Sequence, residues 1–93
     1  MDLDLLDKNA LVCGSTQGIG KATAQALAKM GATVFLLARN EEKLKKIKSR
    51  LDNSRGQNHD YLCADFSDVN QIKRLAREIE HKNIHILINN TGG

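Results

Sequence analysis

Four short apolar runs, each followed directly by glycine or polar residues, constrain the fold of this chain more than any other feature. The runs cover residues 10–13, 33–38, 61–64 and 84–88. They are continuously apolar rather than alternating, which is the pattern of parallel strands covered on both faces. Because the carboxyl ends of parallel strands meet at one edge of a sheet, we expect the loops after the four runs to form a single ligand site.

The three segments between these runs have helical spacing. The first ends before Gly31, and its shared face consists of Ile19, Thr23, Ala26, Leu27 and Met30. The second has Asn40 as its predicted N-cap, and its predicted buried stripe consists of Leu44, Ile47 and Leu51. The third is capped by Ser67 or Asp68, and its predicted buried stripe consists of Val69, Ile72, Leu75, Ala76 and Ile79.

This alternation of strands and helices predicts an α/β fold of the Rossmann type, with a doubly wound parallel sheet. Right-handed crossovers with helices on both faces give the strand order 3-2-1-4. The chain contains no proline and no linker-like tract, so no internal boundary is predicted. We therefore expect residues 1–93 to form the amino-terminal, dinucleotide-binding half of a single domain, with an incomplete sheet.

Composition argues against several classes of function. The 14 Lys and Arg residues against 11 Asp and Glu suit an anionic ligand, but one Tyr, two Phe and no Trp are too few for an RNA-stacking surface. No apolar run approaches the roughly 20 residues of a membrane span, and the acidic amino terminus does not resemble a signal peptide. Cys13 and Cys63 lie on runs that another predicted strand separates, so we expect free thiols and a cytoplasmic protein.

The loop after the first run carries glycines at positions 14, 18 and 20. Gly14 permits a sharp turn, Gly18 lets phosphate oxygens approach the backbone, and Gly20 lets the helix pack close to the sheet. The start of that helix offers unpaired N–H groups to a pyrophosphate. A strand before and a helix after are the context that a dinucleotide-binding loop requires. The alternative is a glycine-rich turn that serves packing alone.

The spacing Gly-x-x-x-Gly-x-Gly resembles that of the short-chain dehydrogenase/reductase family, and the resemblance extends over essentially all 93 residues. It also rests on residues 38–40 (Ala-Arg-Asn), on Asp65-Phe66 and on residues 89–92 (Asn-Asn-Thr-Gly). In appearance the chain is most similar to the 3-oxoacyl-(acyl carrier protein) reductases. One departure is Cys13, because the family usually has Thr before the first glycine, where its hydroxyl helps to hold the loop.

Arg39 decides the predicted cofactor. An NAD-specific site needs a carboxylate after the second strand to bind the adenosine ribose hydroxyls, whereas this chain has Ala38 and Arg39 there. An arginine can instead bind a 2′-phosphate through charge-assisted hydrogen bonds. The sequence therefore favours NADP(H). The alternative is a solvated arginine that leads into the Asn40 cap.

The resemblance implies roles for further residues at the same edge. Asp65 would accept a hydrogen bond from the adenine amino group, with backbone contact from Phe66; alternatively, Asp65 or Asp68 only caps the next helix. Residues 90–92 would approach the nicotinamide ribose, and Asn89 would tie neighbouring strands together. The complete predicted cofactor-binding set is Gly14, Ser15, Thr16, Gln17, Gly18, Ile19, Gly20, Arg39, Asp65, Phe66, Asn90 and Gly92.

Neither catalytic residues nor a metal site are predicted within this sequence. Reductases of the family carry a Ser and a Tyr-x-x-x-Lys pair, but the only tyrosine, Tyr61, is followed four residues later by Asp65 and is expected to lie in the core. His81 and His85 do not share a helical face, and His59 is isolated. Helix-terminal or surface positions are therefore expected for the histidines.

The resemblance implies that the intact protein is an NADPH-dependent oxidoreductase of fatty acid metabolism, which reduces a ketone, such as a 3-oxoacyl thioester, to the 3-hydroxy compound. Its substrate would be a small or acyl-carrier-bound carbonyl compound, and the protein would be a homodimer or homotetramer. Neither nucleic acid nor a membrane is a predicted partner. The second hypothesis is a non-catalytic dinucleotide-binding module or redox sensor.

Overall fold

Strands and helices alternate along the chain in the computed structural model, which describes residues 4–90. The strands are β1 (Asn9–Cys13), β2 (Thr33–Ala38), β3 (Asp60–Cys63) and β4 (Ile86–Asn89). The helices are α1 (Gly18–Lys29), α2 (Glu41–Arg50) and α3 (Val69–Glu80). Every strand begins and ends within two residues of its predicted run. The predicted order of elements is therefore confirmed.

The four strands form one parallel sheet in the order β3-β2-β1-β4, as predicted. β1 lies in the interior of the sheet, where Val12 is beside Leu36 of β2 on one side and beside Ile88 of β4 on the other. The chain first proceeds outward from β1 through β2 to β3, and it then returns to the opposite side of β1 for β4. The loops after β1 and β4 consequently diverge and leave a crevice between them. Ligands of open α/β sheets bind in such a crevice, at the carboxyl ends of the strands.

The two faces of the sheet are covered to different extents. On one face, β1 and β2 pack against α1 and α2, with buried residues Ala10, Val12, Ala24, Leu27, Ala28, Ala32, Val34, Leu36, Leu44, Ile47 and Leu51. On the other face the buried residues are Leu11, Leu37, Ala64 and Leu75. The prediction of burial on both faces is right for β1 and β2 but wrong for β3 and β4, because only α3 covers the second face of the described sheet.

The predicted inward face of α1 is partly wrong. Ile19 is 74% exposed and Ala26 is also exposed. The residues that the helix buries are Gly20, Ala24, Leu27 and Ala28. Because small residues allow the closest approach of a helix to a sheet, the glycine and alanine face packs inward. Gly31 follows the helix as predicted, with a φ of +101° and its N–H bonded to the Ala28 carbonyl at 3.0 Å.

Asparagine and aspartate cap the other two helices. Asn40 Oδ1 accepts the Lys43 N–H of α2 at 3.1 Å, as predicted. Asp68 Oδ1 accepts the Asn70 N–H of α3 at 2.9 Å. Of the two residues predicted as alternative caps for α3, Asp68 is therefore the N-cap and Ser67 is not.

The predicted stripe of α3 is largely uncovered. Of its five members only Leu75 is buried, whereas Val69 is 63% exposed and Ile72 is 39% exposed. The spacing identifies an apolar face correctly, but burial also requires a neighbouring element on that face. Within residues 4–90 no second helix packs beside α3.

His59 is buried, contrary to the expectation of a helix-terminal or surface position. Its Nδ1 accepts the Val34 N–H at 2.9 Å, and its Nε2 therefore carries the proton that it donates to the Asp52 carbonyl at 2.7 Å. Nearby, Gln57 Nε2 donates to the Ala32 carbonyl at 3.0 Å. These bonds fasten the loop between α2 and β3 to the start of β2.

β4 exposes one edge of the sheet. Among residues 4–90 it pairs only with β1, and Leu87 is 64% exposed. An unpaired apolar edge is a template for pairing with another strand. We expect the isolated 93-residue chain to self-associate at micromolar concentration, and Leu87→Lys to reduce this association because a charge blocks edge pairing. Light scattering measures the mass of each variant.

Leu6→Lys is the matched control, since Leu6 is an exposed leucine that does not belong to the sheet. It should leave the association unchanged. A monomeric mass for the parent chain, or an equal response to both lysine variants, would contradict edge pairing through β4.

Candidate cofactor-binding cleft

An open cleft of about 910 Å³ lies at the carboxyl edge of the sheet. Its lining residues come from the segments that follow all four strands and from the last residues of β2 and β4, and they are Gly14, Thr16, Gln17, Gly18, Ile19, Ala38, Arg39, Asp65, Phe66, Ser67, Asn89 and Asn90. Nine of the twelve predicted binding residues are in this set. Of the other three, Ser15 and Gly20 are buried beside it and Gly92 lies outside the described residues.

The glycine loop holds the start of α1 open towards this cleft. Gly14 has a φ of +70°, and its N–H donates to the Leu37 carbonyl at 2.9 Å, which fixes the turn to β2. Gly18 has a φ of +51°, and a Cβ there would meet no atom within 4 Å. The Gln17 side chain makes no cap bond to the helix, and the first turn contains no acidic residue. The amino terminus of α1 thus presents N–H groups and a partial positive charge to open space.

Gly20 sets how closely α1 approaches the loop. A Cβ at this position would collide with the Gly14 carbonyl group, and it would lie 3.2 Å from Asn90 Nδ2. The absence of a side chain therefore brings together the loop after β1, the first turn of α1 and the residue after β4. Sequence reasoning predicted close packing of the helix against the sheet, and the structure adds that the closest contact is with the loop itself.

Ser15 occupies the interior of the loop. Its side chain is fully buried, and among residues 4–90 its hydroxyl has no hydrogen-bond partner. A buried hydroxyl without a partner costs about 1–3 kcal/mol. The loop therefore holds an unused polar group directly behind the residues that line the cleft.

Arg39 projects from the end of β2 at the opposite wall. It is exposed, and within the described part of the chain its guanidinium forms no ion pair within 4 Å. Its backbone carbonyl accepts a hydrogen bond from the Cys63 thiol at 3.1 Å. Asn40, the next residue, is the N-cap of α2. The Arg39 side chain is therefore a cation without an ion-pair partner among the described residues. Hydrogen bonds at and next to Arg39 hold the backbone that carries it.

Asp65 has a structural function in addition to its place in the cleft. Its Oδ1 accepts both the Ser67 N–H at 2.9 Å and the Ser67 hydroxyl at 2.8 Å. The backbone bond and then the hydroxyl bond hold the pKa of Asp65 below its ordinary value, and the charge of Arg39 acts in the same direction. Asp65 is consequently an anion that shapes the turn before α3, while Asp68 caps the helix. Phe66 beside it is 44% exposed.

Asn90 joins the loop after β4 to the glycine loop. Its N–H donates to the Cys13 carbonyl at 3.1 Å, which carries the pairing of β1 and β4 up to the cleft. Three further lining residues, Ala38, Ser67 and Asn89, were not in the predicted binding set. Ala38 and Asn89 are the last residues of β2 and β4, and Ser67 lies in the loop after β3, so the rule that places the other residues at this edge could have found them.

No catalytic constellation is present in the described part of the chain. Tyr61 is half-buried in β3 and does not line the cleft. Its hydroxyl lies 3.4 Å from the Glu41 carboxylate, and partial burial followed by the Glu41 charge raises the pKa of Tyr61, which disfavours proton release. Among residues 4–90 no group of three or more His, Cys, Asp or Glu side chains is placed to hold a metal ion.

Several proteins that are similar to this chain in sequence or in structure have names that refer to dehydrogenases or reductases. A protein from Homo sapiens called inactive hydroxysteroid dehydrogenase-like protein 1 is 40% identical over 84 residues, which cover 89% of this chain and 26% of that protein. The fatty acyl-CoA reductase of Acinetobacter baylyi is 38% identical over 87 residues, 91% of this chain and 29% of that protein. The crystal structure of L-sorbose reductase from Gluconobacter frateurii, complexed with NADPH and L-sorbose, has a TM-score of 0.85 and 28% identity, covering 100% of this chain and 36% of that one.

This chain thus spans about a quarter to two-fifths of the length of the proteins it matches. No helix among residues 4–90 has the length and apolar character needed to cross a bilayer. The description "short chain dehydrogenase" belongs to the family that matches residues 8–93. Since that match covers nearly the whole sequence and agrees with the glycine loop and strand order, the chain belongs to the short-chain dehydrogenase family of oxidoreductases.

Proposed function

We propose that this chain is the amino-terminal, cofactor-binding half of an NADPH-dependent reductase that converts a ketone to an alcohol. The observation that carries the cofactor assignment is Arg39. It is an exposed and unpaired cation at the end of β2, where an NAD-specific site has a carboxylate. A guanidinium at that position attracts a 2′-phosphate, whereas a carboxylate would repel it.

The residues of the cleft fit the successive parts of an NADP(H) molecule. The uncapped start of α1 and the open space at Gly18 suit a pyrophosphate. Arg39 would hold the 2′-phosphate, Asp65 would accept from the adenine amino group beside Phe66, and Asn90 would approach the ribose next to the nicotinamide. Gly92 would act beside Asn90. When bound, the cofactor supplies the hydride, and the residues of this chain position it.

The remainder of the proposal concerns the full protein. We propose a 3-oxoacyl thioester as substrate, either as a small molecule or bound to an acyl carrier protein, with the 3-hydroxy compound as product. The likeness to a protein named fatty acyl-CoA reductase supports a thioester, and the likeness to an L-sorbose reductase that binds NADPH supports carbonyl reduction with this cofactor. A cytoplasmic homodimer or homotetramer, with neither nucleic acid nor a membrane as partner, completes the proposal.

Arg39→Ala in the full protein should weaken NADPH binding and leave NADH binding nearly unchanged, because only the 2′-phosphate loses a partner. A hydrogen bond to a charged group contributes about 1.5–3 kcal/mol, so we expect a loss on the order of tenfold to a hundredfold. Calorimetric titration of both cofactors measures the two affinities. Arg77→Ala removes an exposed arginine of α3 outside the cleft and should change neither. Equal weakening of both cofactors by Arg39→Ala would refute the assignment.

The second candidate is a dinucleotide-binding module without catalysis. It is favoured by the likeness to a human protein whose name describes it as inactive. NADPH oxidation by the full protein in the presence of ketones separates the two proposals. Turnover establishes the reductase, and cofactor binding without turnover of any ketone favours the module.

A further inference from the structure

The hydrogen bonds between β2 and β3 continue one residue beyond the strand pairing. The last paired residues are Ala38 and Cys63, and the Ala64 N–H donates to the Ala38 carbonyl at 3.1 Å. Past this point the backbone of β3 turns towards α3. The next carbonyl along the chain, that of Arg39 just after β2, accepts instead from a side chain, the Cys63 thiol, at 3.1 Å.

Arg39 is thereby held from both directions. The residue before it is bonded to β3. The residue after it, Asn40, caps α2, with its Oδ1 bonded to the Lys43 N–H at 3.1 Å and its carbonyl to the Leu44 N–H at 3.0 Å. The thiol fixes the peptide that lies between these two anchors. The orientation of that peptide sets the direction in which the Arg39 side chain leaves the backbone.

Packing does not account for a cysteine at position 63. The residue is exposed, and its thiol is free. An alanine or a valine would serve the same end of a strand, and valine has the higher strand propensity. Cysteine differs from both in one respect that the structure uses, because its S–H can donate a hydrogen bond.

We propose that Cys63 is a positioning residue for cofactor specificity, which acts through Arg39 by holding the Arg39 carbonyl. This inference rests on the proposed NADPH function and deepens it. Cys63 is not among the residues that line the cleft. It restricts the Arg39 backbone, so that the guanidinium is already placed for a 2′-phosphate before the cofactor arrives, and less conformational freedom is lost on binding.

The test compares Cys63→Ala and Cys63→Val, which lack a donor, with Cys63→Ser, which keeps one. Calorimetric titrations of the full protein with NADPH and with NADH give the affinity of each variant. We expect the alanine and valine variants to bind NADPH about three- to tenfold more weakly, the effect of one neutral hydrogen bond, with NADH changed less than about twofold. The serine variant should retain the parent preference. Two donor-free variants are used so that the comparison can still be made if one of them folds poorly.

A double-mutant cycle with Arg39→Ala tests whether Cys63 affects NADPH affinity through Arg39. In the Arg39→Ala background, Cys63→Ala should cause no further loss of NADPH affinity, because the side chain that the thiol positions is gone. An additional loss of the same size would overturn the inference, as would equal weakening of both cofactors or a serine variant that behaves like alanine. If Arg39→Ala alone is unselective, the proposed cofactor is wrong. If Arg39→Ala is selective and the Cys63 variants are not, only the inference about Cys63 fails.

Discussion

Gly20→Ala in the full protein should nearly abolish dinucleotide binding. The new Cβ would meet the Gly14 carbonyl, which is backbone and cannot rotate away, and would also press on Asn90. Overpacking typically costs about 1–3 kcal/mol. Because the atom that the new Cβ meets belongs to the backbone, we expect this collision to cost at least the upper end of that range. About 3 kcal/mol corresponds to more than a hundredfold in affinity, and we expect a loss of at least that order for NADPH. Calorimetric titration measures it, and thermal unfolding of the same sample measures the lost stability.

Gly56→Ala is the matched control. Gly56 has a φ of +82°, and a Cβ there would meet no atom within 4 Å. This variant carries the strain of a left-handed alanine, about 1–2 kcal/mol, without a collision and away from the cleft. It should lower the stability modestly and leave NADPH affinity unchanged. A Gly20→Ala protein that binds NADPH as tightly as the Gly56→Ala protein would show that the contact between the loop and α1 does not shape the site.

The 93-residue chain by itself should catalyse no carbonyl reduction. It contains the glycine loop and Arg39, which we propose to bind the cofactor phosphates, but among its described residues no tyrosine lines the cleft, since Tyr61 lies elsewhere beside Glu41. General acid catalysis typically contributes about 100-fold to 10,000-fold, so its loss should remove measurable turnover. The absorbance of NADPH with a 3-oxoacyl thioester follows the reaction, and the full protein is the positive control.

Consumption of NADPH by this chain above a buffer control would contradict that expectation. The Tyr61→Phe variant then identifies the source. Activity that disappears in this variant would make Tyr61 the proton donor, and activity that persists would place the donor elsewhere.

The architecture could be predicted from the sequence because local signals determine it. Apolar runs that stop at glycine or polar residues define the strands, and the handedness of crossovers leaves one strand order. The same stops locate the cleft, since a residue after a parallel strand has only one edge to occupy. Arg39, Asp65 and Asn90 were placed by that rule alone, without any contact between them being known.

The features that could not be predicted from the sequence are those in which the burial of a side chain depends on which other element packs against it. Helical spacing gives α3 an apolar face, but only Leu75 meets the sheet. Ile19 has the side chain of a core residue, yet α1 turns its glycine and alanine face inward. His59 can be buried because both of its ring nitrogens form hydrogen bonds with backbone groups, one with the Val34 N–H and the other with the Asp52 carbonyl. None of these outcomes follows from a pattern within one segment.

The position of β4 has a consequence for the order in which the site is made during synthesis. β1 pairs with β2 and β2 pairs with β3, so these pairs join strands that are consecutive in the chain, whereas β4 must return to β1. As the polypeptide leaves the ribosome, one side of β1 stays unpaired until β4 has emerged, and closing the long loop between these two strands is entropically costly and slow. Asn90 arrives with that strand. The wall of the cleft next to Gly14 is therefore the last of the described walls to form, and a nascent chain has all the residues that line the cleft only when Asn90 has been translated.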